Sequence, residues 1–344
     1  MPTLLRVAPA ALIALLLADD ALGQRGRRGR HQEPVELKHF TYEKVTFDAP
    51  SLDGDEGGFG IFLPVGYDED AETPYPWVLW LHGMFEDGDR FHAGGGAKAL
   101  DALRGEGRIP ALVLVTPTAP RRTIYANGEA EGDIEDYVLK DVTAYVEEHY
   151  RVAEDRAGRA LMGVSMGGMG ALRIAFKNPR RYATVAVHSA AALPPDPTVL
   201  EGRSAERVRR SIEWLGLGEL LGDPIDPEKW ALYIPSAIVE DLSPEDLHGL
   251  RIFFDAGTED RYGFGPPNAQ LHERLDERGI DHSFRLVEGG GHSWGSGSMP
   301  ERLERSLEFV AAGFAPEEDG EDRDGADGET ERPDTEGRNG SGGR

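Results

Sequence analysis

Cysteine is absent from this sequence of 344 residues. The chain therefore has no disulfides, and a lipid-modified cysteine anchor is excluded. If the protein is exported, its stability must come from its apolar core alone, without the cross-links that many exported proteins use.

Long apolar runs are also scarce. The run over residues 7–18 near the amino terminus is shorter than the ~20 residues that a transmembrane helix needs. Arg6 precedes it and small residues end at Gly23, which is the pattern of a secretory signal peptide. We predict a signal peptide over 1–23 and a secreted or periplasmic protein without stable membrane insertion after cleavage. An uncleaved membrane anchor is the alternative.

Positive charge is in short supply, with 37 Lys and Arg against 62 Asp and Glu and a net charge of −25. An acidic surface repels nucleic acid and anionic membranes, so neither is an expected partner. Residues 24–36 are predicted to form a flexible basic leader. Residues 315–344 have almost no apolar side chains, which predicts a disordered acidic tail. The segment between them, 37–314, is long enough for one large α/β core.

What the chain does contain is a regular alternation of apolar strands and helices. Continuous apolar runs are typical of strands buried on both faces of a parallel sheet, and they occur at 77–81, 111–115, 159–164, 184–188, 251–255 and 282–287. An antiparallel pair is predicted ahead of them, over 40–47 and 60–64. Helical patterns lie near 97–104, 133–149, 168–177, 267–279 and 301–311. This order predicts an α/β fold, a three-layer sandwich around a mostly parallel central sheet.

Two further features concern the helices and the loops. Asp133 is predicted to cap the helix over 133–149 through its side chain. Residues 191–248 interrupt the alternation with many prolines and one helical stretch near 204–215. We interpret 191–248 as an insertion that forms a partial lid, and a surface excursion without a role in binding remains the alternative.

The most informative motif is Gly163-Val164-Ser165-Met166-Gly167. A short buried strand precedes it and a helix follows it, which is the context of a nucleophile elbow. In an elbow a sharp turn lifts the serine hydroxyl above the sheet. The glycines avoid a collision with the neighbouring strand and helix. Ser165 is therefore the predicted nucleophile.

A serine nucleophile needs a base and a carboxylate that orients the base. His292 is the preferred base because it follows the last strand in a glycine-rich loop. Asp260 is the preferred carboxylate because its loop leaves the penultimate strand at the carboxyl end. Asp255 and Glu259 are the alternatives. Other histidines are predicted to have other roles. His82 holds its loop, His149 and His272 face solvent, and His282 is structural.

Two backbone donors for an oxyanion are also expected. The N–H of Met166 follows the nucleophile directly. The second donor should come from the loop after the strand that ends at Leu81, with Met84 preferred and Phe85 as the alternative. Five side chains in loops at this edge are candidates for substrate binding: Phe85, Tyr125, His188, Tyr262 and Trp294. No metal and no organic cofactor is expected. The glycine-rich stretches at 94–96 and 168–170 lack the spacing of nucleotide-binding loops. The acidic stretch at 53–56 lacks the remaining positions of a calcium-binding EF-hand loop.

Several segments between residues 40 and 311 resemble the putative-esterase branch of the α/β-hydrolases. The resemblance is carried by Gly60–Tyr67, Tyr75–Gly83, Arg159–Leu172, Phe176–Pro179 and Gly257–Asp260. This branch includes esterase D (S-formylglutathione hydrolase), enterochelin esterase, feruloyl and acetylxylan esterases and the antigen 85 mycolyltransferases. The resemblance implies an α/β-hydrolase fold with a catalytic domain over 37–314 and ester hydrolysis by Ser165, Asp260 and His292. The sequence departs from the family where His188 precedes Ser189.

Motif and resemblance together predict a secreted serine carboxylesterase that acts through an acyl-enzyme on Ser165. Its expected substrates are small-molecule or polysaccharide-linked esters, with feruloyl and acetyl esters as candidates. The alternatives are an extracellular acyltransferase and a non-catalytic binding protein built on the same scaffold. The fold by itself does not choose between these functions.

Overall fold

The computed structural model describes residues 36–54 and 56–314. The predicted signal peptide, residues 24–35 of the leader and the acidic tail lie outside the described residues. Within the described ranges, no helix is both long and apolar enough to cross a membrane.

Eight strands form one sheet in the order β1-β2-β4-β3-β5-β6-β7-β8. β1 and β2 are antiparallel, β2 is antiparallel to β4, and all remaining pairs are parallel. The strands are β1 (Phe40–Asp48), β2 (Glu56–Pro64), β3 (Trp77–Leu81), β4 (Val113–Pro117), β5 (Arg159–Val164), β6 (Thr184–His188), β7 (Arg251–Gly257) and β8 (Ser283–Val287). The predicted α/β-hydrolase fold with a mostly parallel sheet is confirmed. One strand predicted over 111–115 begins two residues later, because its pairing with β3 starts at Val113 opposite Trp77.

The helices are α1 (Asp89–Gly94), α2 (Gly96–Gly105), α3 (Ile134–Asp136), α4 (Thr143–His149), α5 (Met166–Lys177), α6 (Gly202–Leu215), α7 (Gly218–Leu221), α8 (Pro227–Tyr233), α9 (Pro235–Ile238), α10 (Gly265–Glu277) and α11 (Met299–Ala312). A π-helical turn over Tyr137–Val142 joins α3 to α4. Asp133 is the N-cap residue, as predicted, but its side chain does not cap the helix. Its carboxylate accepts the N–H of Gly128 at 2.8 Å and makes no hydrogen bond to the helix.

Successive side chains of a strand point to opposite faces of the sheet. Alternate residues of the central strands therefore build two cores, one on each face. Leu79, Leu161 and Val185 pack on one face with α4, α5 and α10. Trp80 and Met162 pack on the other face with α1, α2 and α11. This two-sided burial explains why these strands read as continuous apolar runs.

The segment 191–248 is more helical than the sequence predicted. It contains four α-helices, α6 to α9, and two short 3₁₀ helices. Its apolar side chains form a third core around Trp230, which packs against Ile124 and against Met169 of α5. The segment therefore lies over the helix that begins at Ser165.

Candidate active site

Ser165 sits at the turn between β5 and α5 in a backbone conformation that non-glycine residues rarely adopt, with φ 57° and ψ −117°. Close packing explains the flanking glycines. A Cβ at Gly167 would lie 2.2 Å from the carbonyl oxygen of Leu81, and one at Gly163 would lie 2.5 Å from that of Gly167. The turn is anchored by the Ser165 N–H, which donates to the carbonyl of His188 at 2.8 Å.

A hydrogen-bonded chain runs from Ser165 to His292 and on to Asp260. His292 Nε2 lies 2.9 Å from Ser165 Oγ, and His292 Nδ1 lies 2.7 Å from Asp260 Oδ2. Because a carboxylate only accepts, Nδ1 carries the ring hydrogen and Nε2 is free to take the serine proton. Asp260 Oδ1 accepts the N–H of Tyr262 at 2.8 Å, so both carboxylate oxygens have a donor.

The imidazole of His292 is shielded by aromatic rings. The Tyr262 ring meets it edge to face at 4.4 Å, and the Phe264 ring lies 5.5 Å away. His292 itself is only 9 % exposed. Tyr262, which was predicted to bind substrate, instead contacts His292 directly and limits the rotation of the imidazole.

The two alternatives to Asp260 are placed elsewhere. Glu259 is exposed to solvent. Asp255 is buried and bound to His188 and Arg302. Neither carboxylate contacts His292, so Asp260 is the residue that the structure brings to the histidine.

The two residues predicted to supply backbone N–H donors, Met84 and Met166, both line the cavity next to Ser165. Met166 is the first residue of α5, where an N–H has no partner within its own helix. The N–H of Met84 has no hydrogen bond to any residue in the described ranges, whereas that of Phe85 donates to the carbonyl of Arg121 at 2.7 Å. Of the two candidates for the second donor, Met84 therefore has an N–H without a partner among the described residues, and Phe85 does not.

The loop that carries Met84 is held by buried groups. The ring nitrogens of His82 lie 2.9 Å and 3.1 Å from the carbonyl oxygens of Gly83 and Ala119. Burial lowers the pKa of His82. The hydroxyl of Tyr125 donates to the His82 carbonyl at 3.0 Å. These contacts fix the direction of the loop beside Ser165.

None of the five residues predicted to bind substrate is among the described residues that line the cavity at Ser165, and three of the five are turned away from it. Tyr125 is fully buried, with its ring against Gly170 of α5. Trp294 packs on the opposite face of the sheet against Trp80, with ring centroids 5.6 Å apart, and against Gly94. These assignments are wrong because the loops turn both side chains into the core.

His188 is the third wrong assignment. It shares its side of β6 with Ala186, which packs in the core on the α11 face. Its Nδ1 lies 3.0 Å from Asp255 and its Nε2 lies 2.9 Å from the hydroxyl of Ser306 on α11. The strand period therefore directs His188 away from Ser165.

The sequence analysis missed a buried polar network below the site. Arg302 of α11 donates to Asp255, to the hydroxyl of Ser189 at 2.9 Å and to the carbonyl of Gly291 at 2.9 Å. His188 and Arg302 hold the pKa of Asp255 below its usual value although burial opposes this. The network ties α11 and β7 to the loop of His292. An arginine on the apolar face of α11 is a sequence signal that would have indicated it.

A cavity that opens to solvent adjoins Ser165. Among the described residues, its lining is apolar apart from Ser165 and Ser211 and includes no charged side chain. Most of the wall comes from the 191–248 segment. The lining residues are Met84, Ile124, Ser165, Met166, Met169, Ala191, Leu193, Val208, Ser211, Ile212, Leu215, Leu217, Leu221, Trp230, Ile234 and Phe264.

Phe85 and Trp214 form an aromatic pair next to this wall. Their ring centroids are 5.5 Å apart, and the Arg122 guanidinium lies 5.1 Å above the Trp214 ring. Phe85 follows Met84 and has a positive φ of 66°. Trp214 precedes Leu215, which lines the cavity, and is 37 % exposed.

Comparison with known proteins agrees with this description. The family model described as "Putative esterase" matches residues 50–297. A solved ferulic acid esterase is 24 % identical with a TM-score of 0.63, covering 81 % of this chain and 100 % of its own. An S-formylglutathione hydrolase from Agrobacterium tumefaciens is 20 % identical with a TM-score of 0.61, and the match covers 82 % of this chain and 99 % of that protein. A ferulic acid esterase from Anaeromyces mucronatus is 20 % identical with a TM-score of 0.55, and the match covers 84 % of this chain and 96 % of that protein.

Proposed function

The chain belongs to the "Putative esterase" family of carboxylic ester hydrolases, and we propose that it is a secreted serine carboxylesterase that works through an acyl-enzyme on Ser165. The observation that carries this proposal is the hydrogen-bonded chain of Ser165, His292 and Asp260 at the end of an apolar cavity. The proposed export is independent of the chemistry and depends on the amino-terminal sequence pattern alone.

In the proposed first half of the reaction, His292 Nε2 takes the proton of Ser165 Oγ as that oxygen attacks the ester carbonyl. The negative charge that develops on the carbonyl oxygen is stabilised by the N–H groups of Met84 and Met166. His292 then gives its proton to the departing alcohol, and the acyl group remains on Ser165. Asp260 holds the ring in the required tautomer and stabilises the imidazolium.

In the second half, water replaces the alcohol. His292 takes a proton from the water, which attacks the acyl-enzyme carbonyl, and the same two N–H groups stabilise the oxyanion. Collapse of this intermediate returns the proton to Ser165 Oγ and releases the carboxylic acid.

The acyl part of the substrate is proposed to occupy the apolar cavity. Since the described residues that line the cavity include no charged side chain, an aliphatic or aromatic acyl group fits it better than a charged one, which would lose its hydration without a partner among them. Feruloyl esters are candidates because ferulic acid esterases share this fold. Phe85 and Trp214 present aromatic rings beside the wall, where the alcohol part, including a sugar ring, can stack.

The test is hydrolysis of p-nitrophenyl acetate, butyrate and octanoate and of methyl ferulate by the wild type and by Ser165→Ala. We expect a loss of about 10³-fold or more in kcat for Ser165→Ala. Ser283→Ala, which changes an exposed serine outside the cavity, is the matched control and should stay within a few-fold of the wild type. Activity that survives in Ser165→Ala would overturn the assignment, and ester formation with an added sugar alcohol would favour the acyltransferase.

A further inference from the structure

A second cluster of reactive side chains lies where α10 and β8 meet. His272 and Asp276 stand one helical turn apart on α10, and His282 immediately precedes β8. One possible ligand atom from each lies within 4.8 Å of the others. His272 Nδ1 is 2.7 Å from His282 Nε2, and Asp276 oxygens are 3.5 Å from His272 Nε2 and 3.9 Å from His282 Nε2.

His282 is oriented as a ligand. Its Nδ1 lies 2.8 Å from the carbonyl oxygen of Ile280, which only accepts, so the hydrogen is on Nδ1 and the lone pair is on Nε2. A backbone carbonyl that fixes the ring in this way is the usual support of a metal-binding histidine. The ring is also stacked on Phe254 at 5.6 Å, and its side chain is only 2 % exposed.

His272 completes the pair of imidazoles. Its ring stacks on Phe284 of β8 at 5.0 Å, which limits its rotation. When nothing else is bound, His272 Nδ1 donates its hydrogen to the Nε2 lone pair of His282. A metal ion between the two nitrogens would take the place of this hydrogen, which then moves to Nε2 of His272. The side chains of His272 and Asp276 are 37 % and 61 % exposed, so an ion has a path from solvent.

We propose that His272, Asp276 and His282 form a binding site for a divalent transition metal of the zinc class. Two imidazole nitrogens and one carboxylate oxygen suit zinc, cobalt or nickel, whereas calcium and magnesium prefer oxygen ligands throughout. Three protein ligands leave one position of a tetrahedral zinc ion for water.

The position of the proposed metal site in the fold indicates how a bound metal ion would affect the protein. β8 pairs only with β7, so it is an edge strand of the sheet. A metal ion would join the second half of α10 to the start of β8, while His292 follows the opposite end of that strand. We therefore expect metal to stabilise the α10–β8 edge and to leave ester hydrolysis unchanged. This proposal does not depend on the proposed function.

The experiment uses the full chain without an affinity tag, first treated with a chelator and then titrated with Zn²⁺ by calorimetry and by thermal unfolding. We expect about one equivalent to bind and Tm to rise by roughly 5–10 °C when free Zn²⁺ exceeds Kd a hundredfold. Asp276→Asn and His272→Ala change partly exposed residues and should fold. Each should weaken Zn²⁺ binding at least tenfold and remove most of the Tm shift.

His248→Ala removes an exposed histidine outside the cluster and serves as the control, which should bind Zn²⁺ like the wild type. The proposal is overturned if Zn²⁺ does not raise Tm in the wild type, or if the rise is equally large in Asp276→Asn and His272→Ala. The second result would assign the binding to other groups of this acidic chain.

Discussion

At the scale of single residues, the proposed chemistry depends on a few atoms with narrow tolerances. Ser165 needs a positive φ, Gly163 and Gly167 leave no room for a side chain, and Met84 must keep its N–H free while Phe85 uses its own. Each requirement serves a different part of the reaction: the turn exposes the nucleophile, and the free N–H groups receive the developing charge. A change at any of these atoms should therefore affect kcat more than KM.

Asp260→Asn tests the proposed role of the carboxylate. An amide in place of the carboxylate favours the wrong tautomer of His292, so we expect kcat to fall by about 10²–10⁴-fold with little change in KM. Steady-state hydrolysis of p-nitrophenyl butyrate measures both constants. Glu259→Gln changes the adjacent exposed carboxylate and should leave both nearly unchanged. Equal losses in the two variants would contradict the assignment.

At the scale of secondary-structure elements, the site is held from two sides. Below it, the Asp255–Arg302 ion pair joins β7 to α11, and Arg302 also binds the loop of His292 through the Gly291 carbonyl. Above it, the 191–248 segment supplies most of the cavity wall. The first contact determines where the histidine loop lies, and the second determines which acyl groups we expect to fit.

Asp255→Asn tests the contact below the site. It leaves the buried Arg302 cation without its carboxylate, so we expect a loss of about 3–5 kcal/mol in the free energy of unfolding at pH 7. Because the pKa of Asp255 is lowered in the folded state, its stabilisation is complete above the unfolded value near 3.8 and is lost as the pH falls through the folded value. The difference between variant and wild type should therefore shrink below about pH 4.

Urea unfolding at pH 7, 5 and 3 measures this difference. Glu301→Gln, an exposed carboxylate on the same helix, is the control and should change stability by less than about 1 kcal/mol. A difference for Asp255→Asn that stays constant over this pH range would show that the ion pair is not its source.

Ile212→Phe tests the wall above the site. Ile212 lines the cavity from α6, and a larger side chain should shorten the space for the acyl group. We expect kcat/KM for p-nitrophenyl octanoate to fall at least tenfold while the value for the acetate changes less than threefold, since a short acyl group stays near Ser165. Glu213→Gln, on the exposed face of α6, is the control. Parallel losses for both esters would place the acyl group elsewhere.

At the scale of the whole molecule, one sheet with helices on both faces carries a helical segment over its carboxyl edge. The two cores, one on each face of the sheet, are both apolar, and no disulfide is available to support them. The strongly negative charge of the chain is compatible with export to a dilute extracellular space, where solubility matters.

The proposed export is tested by expressing the full-length chain in a bacterial host and determining the amino terminus of the mature protein. We expect the protein outside the cytoplasm, beginning near Gln24, since the small residues before it form the cleavage site. Leu15→Arg interrupts the apolar run and should keep the protein in the cytoplasm with an intact amino terminus. Retention of the wild type in the cytoplasm would refute the export proposal.

The sequence alone determined the order of strands and helices, the α/β-hydrolase fold and the family. Those properties depend on local pattern: apolar runs mark buried strands, and the glycines at 163 and 167 mark a turn that few other residues allow. Only the tertiary structure decided the surroundings of Ser165. Tyr125, His188 and Trp294 belong to the right loops and strand ends, but packing turns their side chains into the core. The apolar cavity and the Arg302 network join segments far apart in the chain, and no local pattern records such contacts.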